Sequence, residues 1–97
     1  MSVACDPVEG SIYIADSVGH SIRRLNRTNN MVSTFAGIKG IQGGADGVGA
    51  AARFSSPWHV LYHEGHLFVN DVGNKCLRRI ALATGEAFRG SQAPLRR

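Results

Sequence analysis

The sequence predicts an all-β protein built from two similar four-stranded antiparallel sheets. Residues 12–25, IYIADSVGHSIRRL, return as residues 67–80, LFVNDVGNKCLRRI. Short runs rich in β-branched and aromatic residues alternate with clusters of turn-forming residues, a pattern typical of antiparallel sheets with tight turns. A unit repeated at this length indicates a repeat architecture, in which each copy buries its apolar surface against a neighbour.

Each copy contains four predicted strands separated by turn clusters such as DPVEGS, DSVGH and RTNN. Glycine, asparagine and aspartate in these clusters supply the backbone conformations and local hydrogen bonds that tight turns need. In the first copy the predicted strands are Val3–Cys5, Ile12–Ala15, Ser21–Asn26 and Met31–Ala36. In the second copy they are Val60–Tyr62, Leu67–Asn70, Cys76–Leu82 and Ala87–Arg89.

The second strand of each copy is apolar on both of its faces. Tyr13 stands between Ile12 and Ile14, and the run at residues 67–69 is LFV. A strand of this kind needs cover on both faces, which suits a sheet held between two like sheets. Four-stranded sheets stacked face to face around an axis are the blades of a β-propeller.

The repeat divides the chain into four parts. We expect a first blade at residues 1–37, a glycine-rich connector at 38–53, a second blade at 54–90 and a disordered tail at 91–97. The connector is longer than most loops of compact domains. The tail has no counterpart in the repeat, and chain ends of this kind are commonly poorly ordered.

The two repeated segments resemble NHL repeats. They match the family's strand of tyrosine, hydrophobic residue and aspartate, followed by a glycine-asparagine or glycine-histidine turn and a basic strand. The connector GGADGVGAAARFSSPWHV also resembles the linker between repeats of this family. The resemblance implies a β-propeller, commonly of six blades, that serves as a rigid platform for protein or RNA partners. A minority of related propellers are enzymes.

The chain departs from the family pattern in the number and completeness of its repeats. It holds two copies, the first lacks its leading segment, and Asn70 replaces the alanine seen at Ala15. Two blades leave two large apolar faces exposed, so we expect an unstable isolated monomer. The missing blades would come from a longer chain or from three copies closing a ring. We favour the fragment because the first copy begins within the motif.

Composition and charge limit the cellular compartments and the kinds of partner that we expect for this protein. The net charge of +4 fits an ordinary basic surface, and no run of like charge exceeds two residues. Two cysteines are too few for a disulfide framework. No signal peptide or membrane-spanning run is recognisable, so we expect a cytoplasmic protein without membrane contacts.

Four turn residues receive a structural interpretation: Asp16, Gly19, Asp71 and Gly73. Aspartate at a turn commonly accepts hydrogen bonds from nearby backbone N–H groups. The cluster of His59, His63 and His66 is not the helix-borne zinc motif, and we expect these side chains to belong to turns. We therefore predict no metal, no other cofactor and no catalytic residue.

The paired arginines are the most interesting polar residues of the sequence. Adjacent side chains of a strand point to opposite faces, so one arginine of each pair would pair with a carboxylate or lie between blades. We predict a basic rim that binds a partner, formed by His20, Arg23, Lys75 and Arg78. Trp58 follows Pro57 and is expected in the core.

Three functions follow from this interpretation. We favour a non-catalytic scaffold that binds a protein. The first alternative is an RNA-binding face that uses the arginines, although few exposed aromatic residues are expected for base stacking. The second alternative is a fragment of a metal-dependent propeller lyase or hydrolase.

Overall fold

Two antiparallel sheets make up residues 2–89, which are the residues that the computed structural model describes. This arrangement confirms the all-β prediction. The first sheet has the order β1-β2-β3-β4, with β1 Ser2–Cys5, β2 Ile12–Asp16, β3 Ser21–Asn26 and β4 Met31–Gly37. The second has the order β5-β9-β8-β7-β6, with β5 Gly47–Val48, β6 Pro57–His63, β7 His66–Asp71, β8 Cys76–Ala81 and β9 Glu86–Arg89. The predicted tail at 91–97 lies outside the described residues.

Side chains of the turns hold the hairpins of the first sheet. Asp6 Oδ1 accepts a hydrogen bond from Val8 N at 2.9 Å, and Asn26 Oδ1 accepts one from Thr28 N at 2.9 Å. Asn30 takes a positive φ of 61°, a conformation that asparagine tolerates better than most residues. The turn chemistry read from the sequence therefore operates through these side chains.

The second sheet has five strands, one more than predicted. The additional strand, β5, comes from the predicted connector and pairs with β9, with Gly47 opposite Ala87 and Val48 opposite Glu86. The remainder of the connector includes a 3₁₀ turn at Gly49–Ala51. The segment at 38–53 is therefore partly built into the second sheet instead of lying free between the blades.

Strand β6 begins earlier than predicted, and this corrects the placement of Trp58. The register of β6 against β7 shifts between Pro57 and His59. A bulge of this kind leaves an extra residue outside the regular alternation and re-aims its side chain. Trp58 is 49% exposed, so the expectation that it lies in the core is wrong.

Each blade has two faces. The leading face is the one by which the second blade contacts the first, together with its equivalent in the first blade. The trailing face is the opposite one. Cross-strand partners share a face and alternate residues change face, so the register assigns the side chains. The leading faces carry Val3, Ile12, Ile14, Arg23, Leu25 and Val32 in the first blade and Val60, Leu67, Val69, Arg78 and Ile80 in the second. The trailing faces carry Ala4, Tyr13, Ala15, Ile22 and Ala36 in the first blade and Leu61, Phe68, Asn70, Leu77, Arg79 and Phe88 in the second.

The core lies between the trailing face of the first blade and the leading face of the second. Strands β1 and β2 lie against β6, and the Ser2 hydroxyl accepts a hydrogen bond from Val60 N at 3.2 Å. The core residues form one cluster: Tyr13, Ala15, Ile22, Ala36, Ala52, Phe54, Val60, Leu67, Val69, Ile80 and Ala87. The connector contributes to this cluster, so it is a wedge between the two blades.

The two outer faces stay exposed. On the leading face of the first blade Val3 is 62% exposed, and on the trailing face of the second blade Leu61 is 63% exposed. Exposed apolar side chains on a sheet face indicate a contact region for another molecule. Each blade therefore has one covered face and one open face.

Within residues 2–89 the chain forms no helix long and apolar enough to cross a membrane.

Tyr13 is buried at the blade interface, and this burial makes the free energy of unfolding depend on pH in the alkaline range. The side chain is 2% exposed and meets the Phe35 ring edge-on, with 5.0 Å between centroids. Burial raises the pKa of Tyr13 above its ordinary value of 10.0, and the charge of Arg24 partly opposes this rise. The neutral phenol is therefore favoured by folding.

We predict that the free energy of unfolding falls as pH rises through about 10, because the unfolded chain then releases the Tyr13 proton more readily than the folded chain. Below that pH this contribution is fully present. Tyr13→Phe keeps the ring and removes the titrating hydroxyl. The free energy of unfolding of this variant should therefore fall less steeply as pH rises. Urea unfolding between about pH 8 and about pH 11 measures both slopes. Equal slopes in the two proteins would contradict the prediction.

Candidate functional site

Arg78 is the centre of a polar cluster that ties the connector to the second blade. Its side chain is 0% exposed. Nη1 donates to Arg53 O at 2.8 Å and to Asp71 Oδ2 at 3.0 Å, while Nη2 donates to Ala45 O at 2.9 Å and to Asp46 Oδ1 at 3.2 Å. The planar guanidinium suits this arrangement because its donors have fixed directions. One side chain thus fixes both ends of a turn of the connector.

Asp71 completes the cluster from the end of β7. It is fully buried, and its Oδ1 accepts a hydrogen bond from Ser55 N at 2.8 Å. Its Oδ2 also accepts from Asn74 Nδ2 at 2.7 Å, and the same amide nitrogen donates to Gly43 O at 2.8 Å. A buried carboxylate is tolerated when it is paired and hydrogen-bonded in this way.

Gly73 permits the close approach of the connector to the turn after β7. Its N–H donates to Ser55 O at 2.8 Å. A Cβ at this position would stand 2.2 Å from Ser55 Oγ and 2.6 Å from Ser55 O. A side chain here would push the connector away, which gives this glycine a steric role.

The corresponding residues of the first blade make fewer contacts. Asp16 Oδ1 accepts a hydrogen bond from Gly19 N at 3.0 Å. A Cβ at Gly19 would stand 2.3 Å from Asp16 Oδ2, so a side chain at this position would displace the Asp16 carboxylate. Arg23 is half-buried and forms no side-chain hydrogen bond or ion pair with residues 2–89. The Asp and Arg of the repeat are therefore hydrogen-bonded to the connector in the second blade, whereas Arg23 of the first blade has no such partner among residues 2–89.

His20 and Lys75 take the same backbone position in the two turns, each with a φ of 55°. The His20 ring contacts the start of the second blade, where its Nδ1 accepts a hydrogen bond from Ser56 N at 2.9 Å. Lys75 is exposed and its ammonium cannot accept a hydrogen bond. The turns therefore match in backbone and differ in what they can bind.

The predicted basic rim needs a correction at Arg78. Its side chain points into the blade interface and its charge is paired with Asp71 and Asp46, so it cannot contact a partner at the surface. The alternation of the strand places the two arginines on opposite faces, and packing against the connector decides that Arg78 is the buried one. Arg23 lies on the leading face of the first blade, whereas His20 and Lys75 lie in the turns after β2 and β7.

The trailing face of the second blade carries a row of side chains that the sequence did not single out. Leu61, Phe68, Arg79 and Phe88 are successive cross-strand partners on β6, β7, β8 and β9. The Arg79 guanidinium carbon lies 4.5 Å from the centroid of the Phe88 ring. The register was the missing information, because the four residues are far apart in sequence.

Two of the histidines flank this row. The rings of His63 and His66, opposite one another on the β6–β7 hairpin, lie 6.5 Å and 6.4 Å from the Phe68 ring centroid. His63 Nε2 lies 3.5 Å from Glu64 Oε1, and both side chains are exposed. Among residues 2–89 no group of three or more histidine, cysteine, aspartate or glutamate side chains is arranged to hold a metal ion.

The matched arginines give a direct comparison of the filled and the open position. We predict that Arg78→Met lowers the free energy of unfolding by about 3–5 kcal/mol, because Asp71 stays buried without its charge partner. Arg23→Met should change it by no more than about 0.5 kcal/mol, since the Arg23 charge has no partner among residues 2–89. Urea unfolding followed by circular dichroism measures both values. Similar losses in the two variants would contradict the description of the cluster.

Comparisons with known proteins agree with this fold. No protein-family model matches the chain. It is 39% identical over 79 residues to Protein SUPPRESSOR OF QUENCHING 1, chloroplastic, of Arabidopsis thaliana, a match that covers 80% of this chain and 7% of that protein. It is 46% identical over 54 residues to NHL repeat-containing protein 2 of Bos taurus, covering 53% of this chain and 7% of that protein. The chain thus spans a small part of both relatives.

Two solved structures from Bacteroides thetaiotaomicron share the architecture. A structural genomics protein of unknown function aligns with a TM-score of 0.75 and 29% identity over 80% of this chain and 20% of its own. An auxiliary nutrient binding protein aligns with a TM-score of 0.76 over 90% of this chain and 24% of its own, and its 20% identity shows the fold alone. The repeated strands, the stacked sheets and the partial match to a protein with NHL repeats together confirm the resemblance to the NHL repeat family.

Proposed function

We propose that this protein is a non-catalytic scaffold that binds a protein through the trailing face of its second blade. The observation that carries the proposal is the row Leu61, Phe68, Arg79 and Phe88, which lies on an open sheet face. Leu61 is 63% exposed and Leu77, on the same face, is 44% exposed. Apolar and aromatic side chains with an arginine among them are the composition favoured at the centres of protein interfaces.

The rigidity of the sheet supports this role. The row sits on four neighbouring strands whose opposite side is the core of the molecule, where Leu67, Val69 and Ile80 are fully buried. A surface fixed in this way loses little conformational entropy when a partner binds. The Arg79 guanidinium already lies over Phe88, so its position is also restricted before binding.

A charge substitution on this face tests the proposal. The double variant Leu61→Glu and Leu77→Glu places two carboxylates in the apolar region without touching the core. The matched control is Val8→Glu and Val18→Glu, which changes two valines that are 85% and 88% exposed in turns. Circular dichroism first establishes that both variants are folded.

The readout is quantitative capture of proteins from an extract, followed by titration of the purified partner. We predict at least about tenfold weaker binding by the Leu61 and Leu77 variant, equivalent to about 1.4 kcal/mol, and unchanged binding by the control. Equal binding by both variants would contradict the proposal. Capture that disappears with ribonuclease, or affinity that falls steeply with salt, would instead favour the RNA-binding alternative.

A further inference from the structure

Among residues 2–89, no segment covers the leading side of the first blade as the connector covers that of the second blade. In the second blade, residues 43–54 place two carbonyls and one carboxylate on the Arg78 guanidinium. In the first blade, Arg23 occupies the corresponding position and makes no hydrogen bond or ion pair with residues 2–89. A half-buried cation without a partner is a binding position for an anionic or carbonyl-rich group.

The outer edge of the first sheet shows the same difference. β9 pairs on one side with β8 and on the other with β5, and Gly49 N donates to Gly85 O at 3.2 Å next to this pairing. Among the described residues β4 pairs with β3 alone. Met31 and Val32, which correspond to Glu86 and Ala87, are 63% and 49% exposed. An unpaired edge of this kind accepts an added strand.

The apolar surface between these two features also matches. Ile12, Ile14 and Leu25 of the first blade correspond to Leu67, Val69 and Ile80, which are fully buried where the neighbouring blade and the connector cover them. The three residues of the first blade are only half-buried. The cation, the free edge and the apolar surface therefore lie on one side of one sheet.

We infer that the leading face of the first blade binds a glycine-rich peptide segment that carries an aspartate and has the chemistry of residues 43–54. Two main-chain carbonyls and a carboxylate of that segment bind the Arg23 guanidinium, and a two-residue strand pairs with β4 at Met31 and Val32. This is a different surface from the trailing face of the second blade.

Two substitutions in the first blade limit the length of the bound segment. Val18 stands where Gly73 allows the close approach to Ser55, and Gly19 stands where Asn74 binds Gly43 O. The contacts with Ser55 are therefore not reproduced, and the bound segment ends at the position of Phe54. Phe54 itself stacks on the arginine in the second blade, with 4.7 Å between the Arg78 guanidinium carbon and the ring centroid.

A second copy of this chain is the competing occupant of the leading face of the first blade. A second copy would present the trailing face of its second blade, where Asn70 replaces the buried Ala15 and Lys75 replaces the hydrogen-bond acceptor His20. Its own connector is already bound to its own Arg78. A second copy therefore has no free connector to offer Arg23, which is why we favour the separate segment.

The test uses a fluorescent synthetic peptide of residues 43–54, GGADGVGAAARF, and fluorescence anisotropy with the full chain. We expect saturable binding, at least tenfold weaker with Arg23→Met. The matched control is Arg24→Met, because Arg24 lies on the opposite face, where its Nε donates to the Ser11 hydroxyl at 3.2 Å. Its affinity should stay within twofold of the unmodified protein.

Changes in the peptide leave the fold of the protein untouched. Asp46→Asn removes the carboxylate, and sarcosine in place of Gly49 removes the N–H that, next to the two-residue strand, donates to Gly85 O in the second blade, so each should weaken binding several-fold. Absence of saturable binding, or equal binding to the Arg23→Met protein, would overturn the inference. So would sedimentation showing Arg23-dependent oligomers that the peptide does not dissociate, because the occupant would then be a second copy.

Discussion

The structure depends on a sheet that is apolar on both faces and therefore must be covered on both. In the second blade, Leu67 and Val69 lie against the first blade, while Phe68 points to the other side. The interface between the blades supplies the only apolar cluster found among residues 2–89. Neither sheet contains a core of its own, so the fold of each blade depends on its neighbour.

The connector strengthens this dependence because it lies between the two blades. Ala52 and Phe54 are fully buried in the shared core, and Arg78 binds the carbonyl of Arg53 between them as well as that of Ala45. Replacing a buried ion pair with apolar residues is often neutral, but removing one partner is costly. The cluster around Arg78 therefore fixes where the connector lies more than it adds to the total stability.

Much of the fold could be predicted from the sequence because the repeat and the turn chemistry are local. Strand Ser21–Asn26 has the predicted bounds, and all three hairpins of the first sheet use turn side chains that the pattern indicates. Strand Gly47–Val48 could not be predicted, since two residues in a glycine-rich segment show no alternation. The bulge that exposes Trp58 likewise depends on pairing with β7, which no local pattern records.

The candidate sites show the limit of local reasoning more clearly. Arg23 and Arg78 occupy the same place in the repeat, yet Arg78 is fully buried and bonded while Arg23 makes no such contact with residues 2–89. The difference comes from the connector that covers one blade and from the open face of the other. The row across the second blade was also hidden, because its members meet only through the register of four strands.

The central claim is that the two blades form one cooperative unit, and native-state hydrogen exchange tests it most directly. The slowest amides of β2 and β3 should exchange with the same free energy of opening as those of β7 and β8, because neither sheet stays folded when the shared core opens. Low concentrations of urea should lower both values with one slope. If one sheet kept its protected amides after the other had exchanged, the account would be contradicted.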